Sequence, residues 1–139
     1  MAEIEQKAER WVILPGTTIG GNVGVFDVEF TVGSADGDSF ARLIGVVDTG
    51  ALNTVIPERV LDGLGIARDE SEIFTLADGS NVEVDLGLAL IWIEDRSRAV
   101  HVAFGSDPEL ALIGAMTLER FGVAADPVHR RLVPARITM

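Results

Sequence analysis

Val46-Val47-Asp48-Thr49-Gly50-Ala51 sets a carboxylate at the end of an apolar run, and the rest of the chain is most readily placed from there. A buried Asp is costly unless it is hydrogen-bonded or functional. The Gly two residues on permits a sharp turn and close backbone approach to a ligand, and the hydroxyl of Thr49 is placed to hold neighbouring backbone groups. The same residues also suit an Asx-type turn that merely closes a hairpin. The triplet alone leaves both readings open.

Upstream, Val23 to Val32 sets Val25, Asp27, Glu29 and Thr31 against Phe26, Val28, Phe30 and Val32, the period of two of a strand with one buried face. Gly33 to Ser39, with Asp36-Gly37, reads as a hairpin turn, and Ala41 to Val47 as the buried strand that ends at Asp48. Downstream, Pro57 to Leu64 reads as a short helix with Pro at its start and Gly65 at its stop. Ile73 to Leu76 and Asn81 to Leu86 are strand-like around Ala77-Asp78-Gly79-Ser80, whose Asp-Gly pair predicts a type I′ hairpin. Leu88 to Ile93 is a strand, Arg96-Ser97 a turn, Ala99 to Phe104 a strand, and Leu110 to Ile113 a short strand ending at Gly114. Ala115 to Phe121 has helical spacing with Gly122 as C-cap. Leu132 to Ile137 is a Pro-interrupted strand suited to an edge. At the other end, Met1 to Arg10 is a polar lead-in free to fray, Trp11 to Leu14 is β-like, and Gly16 to Gly24 is rich in breaks. Many short strands, turn signals between them, two short helices and no βαβ rhythm predict an all-β, barrel-like fold, with residues 1–139 as a single domain.

Composition narrows the function. With 139 residues and 47% of them hydrophobic, the chain can fill one core. A net charge of -11 argues against a nucleic-acid partner. The absence of Cys removes disulfides, zinc-thiolate sites and a Cys nucleophile. Leu86 to Ile93 is the longest strongly apolar run, well short of the roughly 20 residues that span a bilayer. With no apolar stretch in Met1 to Arg10 to act as a secretory signal, a cytoplasmic location and no membrane association are the expectation. The glycines of 16–24 do not form a phosphate-binding fingerprint, no Gly-x-Ser-x-Gly elbow is present, and His101 and His129 lack ligand-like spacing, so no metal and no cofactor are expected. Asp69-Glu70-Ser71-Glu72 reads as a solvated loop, and Trp92 as packing.

Several features fall in one order: the apolar run into Asp48-Thr49-Gly50-Ala51, then Thr54-Val55-Ile56-Pro57, a Gly-containing hairpin, and Leu112-Ile113-Gly114 before a helix. Over roughly Val25 to Val133 the sequence resembles the retropepsin-like aspartic proteases, the retroviral-type enzymes with bacterial relatives. The resemblance implies a closed barrel with a flap hairpin. It implies that Asp48 is the catalytic aspartate, that Thr49 braces paired loops across a dimer axis, and that the Gly50 carbonyl accepts a substrate backbone hydrogen bond. Ala51 would line the cleft, and Ala77, Asp78, Gly79 and Ser80 would form the flap tip over substrate. Leu112, Ile113 and Gly114 would cross behind the catalytic loop. In the family that half is a pseudo-repeat of the half bearing the Asp, which would account for the echo of Leu43-Ile44-Gly45 in Leu112-Ile113-Gly114. Asn53 suits either a loop role or a substrate contact.

Aspartic proteolysis uses two carboxylates sharing a proton. This sequence holds one Asp-Thr-Gly and is short for a two-lobed form, and Asp78-Gly79-Ser80 lacks a preceding apolar run. The second carboxylate is therefore expected from a homodimer partner, with a peptide or protein as substrate. Three positions depart from the retroviral pattern: Leu52 where an acid is common, Ala115 where an Arg pairs with it, and Met116 where Asp or Asn is common. They motivate the alternative of a catalytically weak or silent peptide-binding or dimerisation domain.

Overall fold

The computed structural model describes Phe26 to Ala135. The expected strand at Trp11 to Leu14, the breaks of Gly16 to Gly24, the first residues of the Val23 to Val32 strand and the end of the Leu132 to Ile137 strand lie outside these residues. The described elements, in chain order, are β1 (Phe26–Gly33), β2 (Phe40–Val47), β3 (Thr54–Pro57), α1 (Glu58–Gly63), β4 (Glu70–Thr75), β5 (Asn81–Ile93), β6 (Arg96–Gly105), β7 (Leu112–Ile113), α2 (Ala115–Phe121), β8 (Val123–Asp126) and β9 (Arg131–Pro134).

Seven strands form one mixed sheet in the order β1-β2-β7-β3-β6-β5-β4, and β1 also pairs with β5. That extra pairing, Thr31 to Gly33 against Trp92 to Leu90, curls the sheet into a near-closed ring. The all-β, barrel-like expectation is met. The ring is mixed because two joints are parallel: β2 with β7, and β3 with β6. β4 hangs outside it on the first half of β5.

The alternation in β1 is realised, with Phe26, Phe30 and Val32 buried and Glu29 exposed. β5 is a single strand of 13 residues rather than two, and burial divides it. Its first three residues are exposed and pair only with β4, whereas from Leu86 on it alternates inward between β1 and β6. The core gathers Leu43, Ile56, Ile91 and Ile113 from the ring, Leu61 from α1 and Phe121 from α2, all under 3% exposed.

Several local readings change. The loop between β5 and β6 is Glu94-Asp95, with Glu94 at φ 57, so Arg96 and Ser97 begin β6 instead of turning. Positive φ at the first loop residue alone matches a type II′ geometry. At Asp78-Gly79 only Gly79 has positive φ, and its N–H bonds the Leu76 carbonyl at 2.9 Å. The turn therefore spans Leu76 to Gly79 with the glycine as a left-handed bulge, not a type I′ pair, because Asp78 avoids the left-handed region. Glu70 to Glu72 belong to β4 and are not a loop. β7 is only two residues long. The last strand pairs not with the ring but with β8, an element the sequence does not signal, in a separate two-stranded sheet. Helix α1 starts after Pro57 and α2 ends at Gly122 in the left-handed conformation, both as expected.

Gly87 shows how tightly the outer strand is laid on. A Cβ there would run into the Ala67 carbonyl oxygen and come within 2.9 Å of Ile66 Cγ2 and 3.0 Å of Phe104 Cε1. Gly87→Ala is expected to cost about 1–3 kcal/mol by overpacking, read as a lower denaturant midpoint at unchanged m. Leu88→Ala, at a residue 40% exposed, should stay within about 0.5 kcal/mol of the parent.

Candidate active site

The expected catalytic loop begins where β2 ends. Asp48 donates its N–H to the Ile113 carbonyl at 3.0 Å, extending the parallel β2–β7 pairing by one residue. Its carboxylate accepts the Gly50 N–H at Oδ1, 2.9 Å, and its carbonyl accepts the Ala51 N–H at 3.2 Å. Asp48 is partly exposed. The turn is thus held on one face by backbone, and the second carboxylate oxygen takes no hydrogen bond from a described residue. Gly50 is not at positive φ. What a side chain would cost there is proximity, since a Cβ would sit 3.2 Å from Asp48 Oδ1.

The far side of the loop is clamped by the chain that follows β7. Ala115 and Met116, at the open N-terminal turn of α2, donate their N–H groups to the carbonyls of Ala51 (2.8 Å) and Leu52 (3.0 Å). Helix N-termini leave such donors without intrahelical partners, and here loop carbonyls take them up. Gly114 passes so close behind that a Cβ would lie 2.5 Å from the Asn53 oxygen and 2.8 Å from that of Leu52. Only a residue without a side chain fits that crossing. A buried pair of hydroxyls, Thr54 and Thr117, meets at 2.6 Å just beneath, and Thr54 Oγ1 also accepts the Gly114 N–H at 3.1 Å.

The turn of Asp48 to Ala51 is therefore brought together with Leu112, Ile113 and Gly114. The echoed triplets are not in register with one another: Leu112 and Ile113 stand beside Val46 and Val47. Thr49 is exposed and makes no hydrogen bond with a described residue. The hydroxyl that fixes backbone is that of Thr54, a role the sequence reading did not assign. Its only signal was a Thr opening an apolar run, with Thr117 far along the chain.

The hairpin tip of Ala77 to Ser80 is exposed and closes on itself: Leu76 N–H bonds the Ser80 carbonyl at 2.8 Å, and Asp78 Oδ1 accepts the Ser80 N–H at 2.9 Å. The Ser80 hydroxyl and N–H hold the Asp78 carboxyl below its ordinary range, so Asp78 is committed to shaping the tip. At the hairpin's base, Arg68 bonds Asp85 and Asp62 at 2.9 Å each and Glu58 at 3.3 Å, and its guanidinium lies 4.3 Å from the centre of the Phe104 ring. Asp85 is held below the ordinary carboxylate range, first by the Ser71 hydroxyl and then by Arg68. Its folded value is depressed, so this tie is complete above the ordinary carboxylate range and is lost as pH falls through the lowered value. Asp69, Glu70 and His101, all exposed, bring one ligand-type atom each within 4.8 Å of one another on the same side of the molecule's outer strands.

No protein-family model matches the sequence, and no curated protein does. The fold does have counterparts among solved structures. The EIAV protease in complex with the inhibitor HBY-793 is 16% identical with a TM-score of 0.54, covering 88% of this chain and all of that one. The simian foamy virus (mac) protease, in solution, is 15% identical with a TM-score of 0.51, covering 67% of this chain and 91% of its own. A retropepsin-like aspartic protease from Rickettsia conorii is 18% identical at a TM-score of 0.45, over 78% of this chain and 91% of that one. The fold of the described residues is retropepsin-like. Among those residues no helix is long and apolar enough to cross a membrane.

The threonine pair makes an ordered prediction. Thr117→Val leaves a buried hydroxyl without its partner and should cost about 1–3 kcal/mol. Thr54→Val also strands the Gly114 N–H, so it should cost more and speed hydrogen exchange at the amides of Ala115 and Met116. Equal costs and unchanged exchange would show that the two hydroxyls do not hold the loop.

Proposed function

We propose that this chain is a single-domain aspartic endopeptidase that works as a homodimer, with Asp48 of two copies forming the catalytic dyad. One observation carries the reading: a partly exposed carboxylate at the end of a core strand, in a turn secured from behind by β7 and α2 and lying in a fold shared with viral proteases. The described loop supplies one such carboxylate, and two are needed. The unoccupied hydroxyl of Thr49 and the exposed side chains of Leu52 and Met116, 60% and 53% accessible, leave this side of the loop suited to a second copy.

In the dimer the two carboxylates, about 3 Å apart, share one proton. The ionised one takes a proton from a water as its oxygen attacks the scissile carbonyl carbon, while the protonated one gives its proton to the carbonyl oxygen. The resulting gem-diol collapses: the C–N bond breaks, the amine nitrogen takes the proton from one carboxyl while a gem-diol hydroxyl gives its proton to the other carboxylate, and a carboxylic acid and an amine leave. The dyad ends as it began, with no covalent intermediate. The Gly50 carbonyl and the backbone of the Ala77 to Ser80 tip would hold an extended peptide by strand-like hydrogen bonds, with Ala51 and Asn53 lining its path.

A second reading is a domain that binds peptide or pairs without cleaving it. Leu52, Ala115 and Met116 favour it, since they stand where retroviral members often have an acid that grips substrate backbone, the Arg paired with that acid, and an Asp or Asn.

Asp48→Asn is expected to lower cleavage of a diverse peptide mixture between pH 4 and 7 by at least about a hundredfold, with circular dichroism and sedimentation unchanged. Cleavage that survives the substitution overturns the mechanism, and peptide retention without cleavage by the parent favours the second reading. Leu52→Glu, which sets like charges across a two-fold, should weaken the dimer at least about tenfold, equivalent to about 1.4 kcal/mol, in sedimentation equilibrium. A parent that stays monomeric at every concentration, with substrate present, removes the dyad.

A further inference from the structure

A cavity of about 380 Å³ lies between the flap strand and the ring. Val55, Val82, Val84, Ala103, Phe104 and Leu110 give it an apolar floor. Its place relative to Asp48 follows from strand register. Val55 stands beside Leu112, and Leu112 beside Val46, two residues before Asp48. Two strand spacings of about 4.8 Å put Val55, the nearest part of the lining, roughly 10 Å across the sheet from the strand that carries Asp48, and the rest extends beyond it over β6 and β5. Residues 82–85, which line it, follow closely on the hairpin tip of Ala77 to Ser80.

The charge around this floor is one-sided. Glu58, Glu83, Asp85 and Asp107 line it, with Arg68 the one cation among the lining residues. Arg68 is already engaged, bonded to Glu58, Asp62 and Asp85 and laid against the Phe104 ring. Glu83 and Asp107 have no cationic partner among the described residues. Asp107 spends one carboxylate oxygen on the Glu109 N–H at 2.9 Å, which holds that side chain in place.

We infer that this cavity is a specificity pocket for a lysine or arginine side chain of a peptide substrate, with Glu83 and Asp107 as the groups that select it. The inference rests on the cleft assigned to Asp48 above. A long basic side chain lays its methylenes on apolar surface while its charged head reaches a polar rim, which is the combination this cavity offers. A neutral apolar side chain would fill the floor but would desolvate two carboxylates with no cation to compensate them. An acidic one would add to their repulsion, and the Arg68 cation is already engaged by Glu58, Asp62 and Asp85. Selection therefore comes as much from rejecting the wrong side chain as from holding the right one.

Binding can be measured without turnover, which separates this inference from the proteolytic reading. Fluorescent peptides carrying Lys, norleucine or Glu at each position in turn are titrated into Asp48→Asn, at low and high salt, and the same set is offered to the parent for cleavage. At one position the Lys peptide should bind at least about tenfold tighter than the norleucine peptide, a difference of about 1.4 kcal/mol, and the advantage should shrink with salt. Glu83→Gln with Asp107→Asn should erase the advantage while leaving norleucine binding in place. Norleucine and Lys peptides that bind equally, a Lys advantage that survives the double substitution, or no peptide binding at all would each overturn the pocket. A Lys advantage in binding with no cleavage by the parent would retain the pocket and reject the protease. Cleavage without basic preference would do the reverse.

Discussion

The rest of the site depends on how closely Gly114 passes behind the Asp48 loop. A side chain at that position would overlap the carbonyls of Leu52 and Asn53, and without the crossing the N–H groups of Ala115 and Met116 could not reach the loop. The buried Thr54 hydroxyl then binds the Gly114 N–H, so the three segments that meet there are joined by hydrogen bonds within a water-poor interior. In such a setting each unmade bond is expensive. The loop thus gets its shape from its surroundings more than from its own residues, and its outward face remains available for chemistry.

The flap follows a different rule. Its half of β5 buries almost nothing, and β4 is exposed along most of its length. What orders it is polar: the Asp78 turn at the tip, and Arg68 at the base joining Asp85 to the carboxylates of α1. Packing against the core begins only at Leu86 and Gly87. A hairpin restrained at its two ends and bare between them has few buried contacts to lose on opening, so local opening there costs less than in the ring.

Legibility in the sequence tracked how local the cause was. The Asp48 run, the alternation of β1, Pro57 before α1 and Gly122 after α2 are short-range signals, and each is realised. The turn types were harder, because Asp-Gly suits more than one loop and only the φ of Asp78 and Glu94 separates them. β8 was not read as a strand: Val123 to Asp126 lies between Gly122 and Pro127 but has no alternation, and it becomes a strand because β9 lies against it. The Thr54–Thr117 contact joins residues far apart in the chain, and no pattern within one segment could announce it. The hydroxyl that holds backbone beneath the Asp48 turn is that of Thr54, which no short-range pattern marks.

The two parallel joints bear on how the molecule comes together. A parallel pair cannot be made by a tight turn, and β7 reaches β2 only after the whole segment from Asp48 to Ala111 has been laid out between them. Loop closure of that span has to precede any gain from the contact, which makes it a late event in folding. The carboxylate loop is completed by that same event, since Asp48 donates to Ile113 and the loop carbonyls wait for α2. The turn around Asp48 and the finished fold are therefore completed together, because the same crossing that closes the ring supplies the hydrogen bonds that shape the turn.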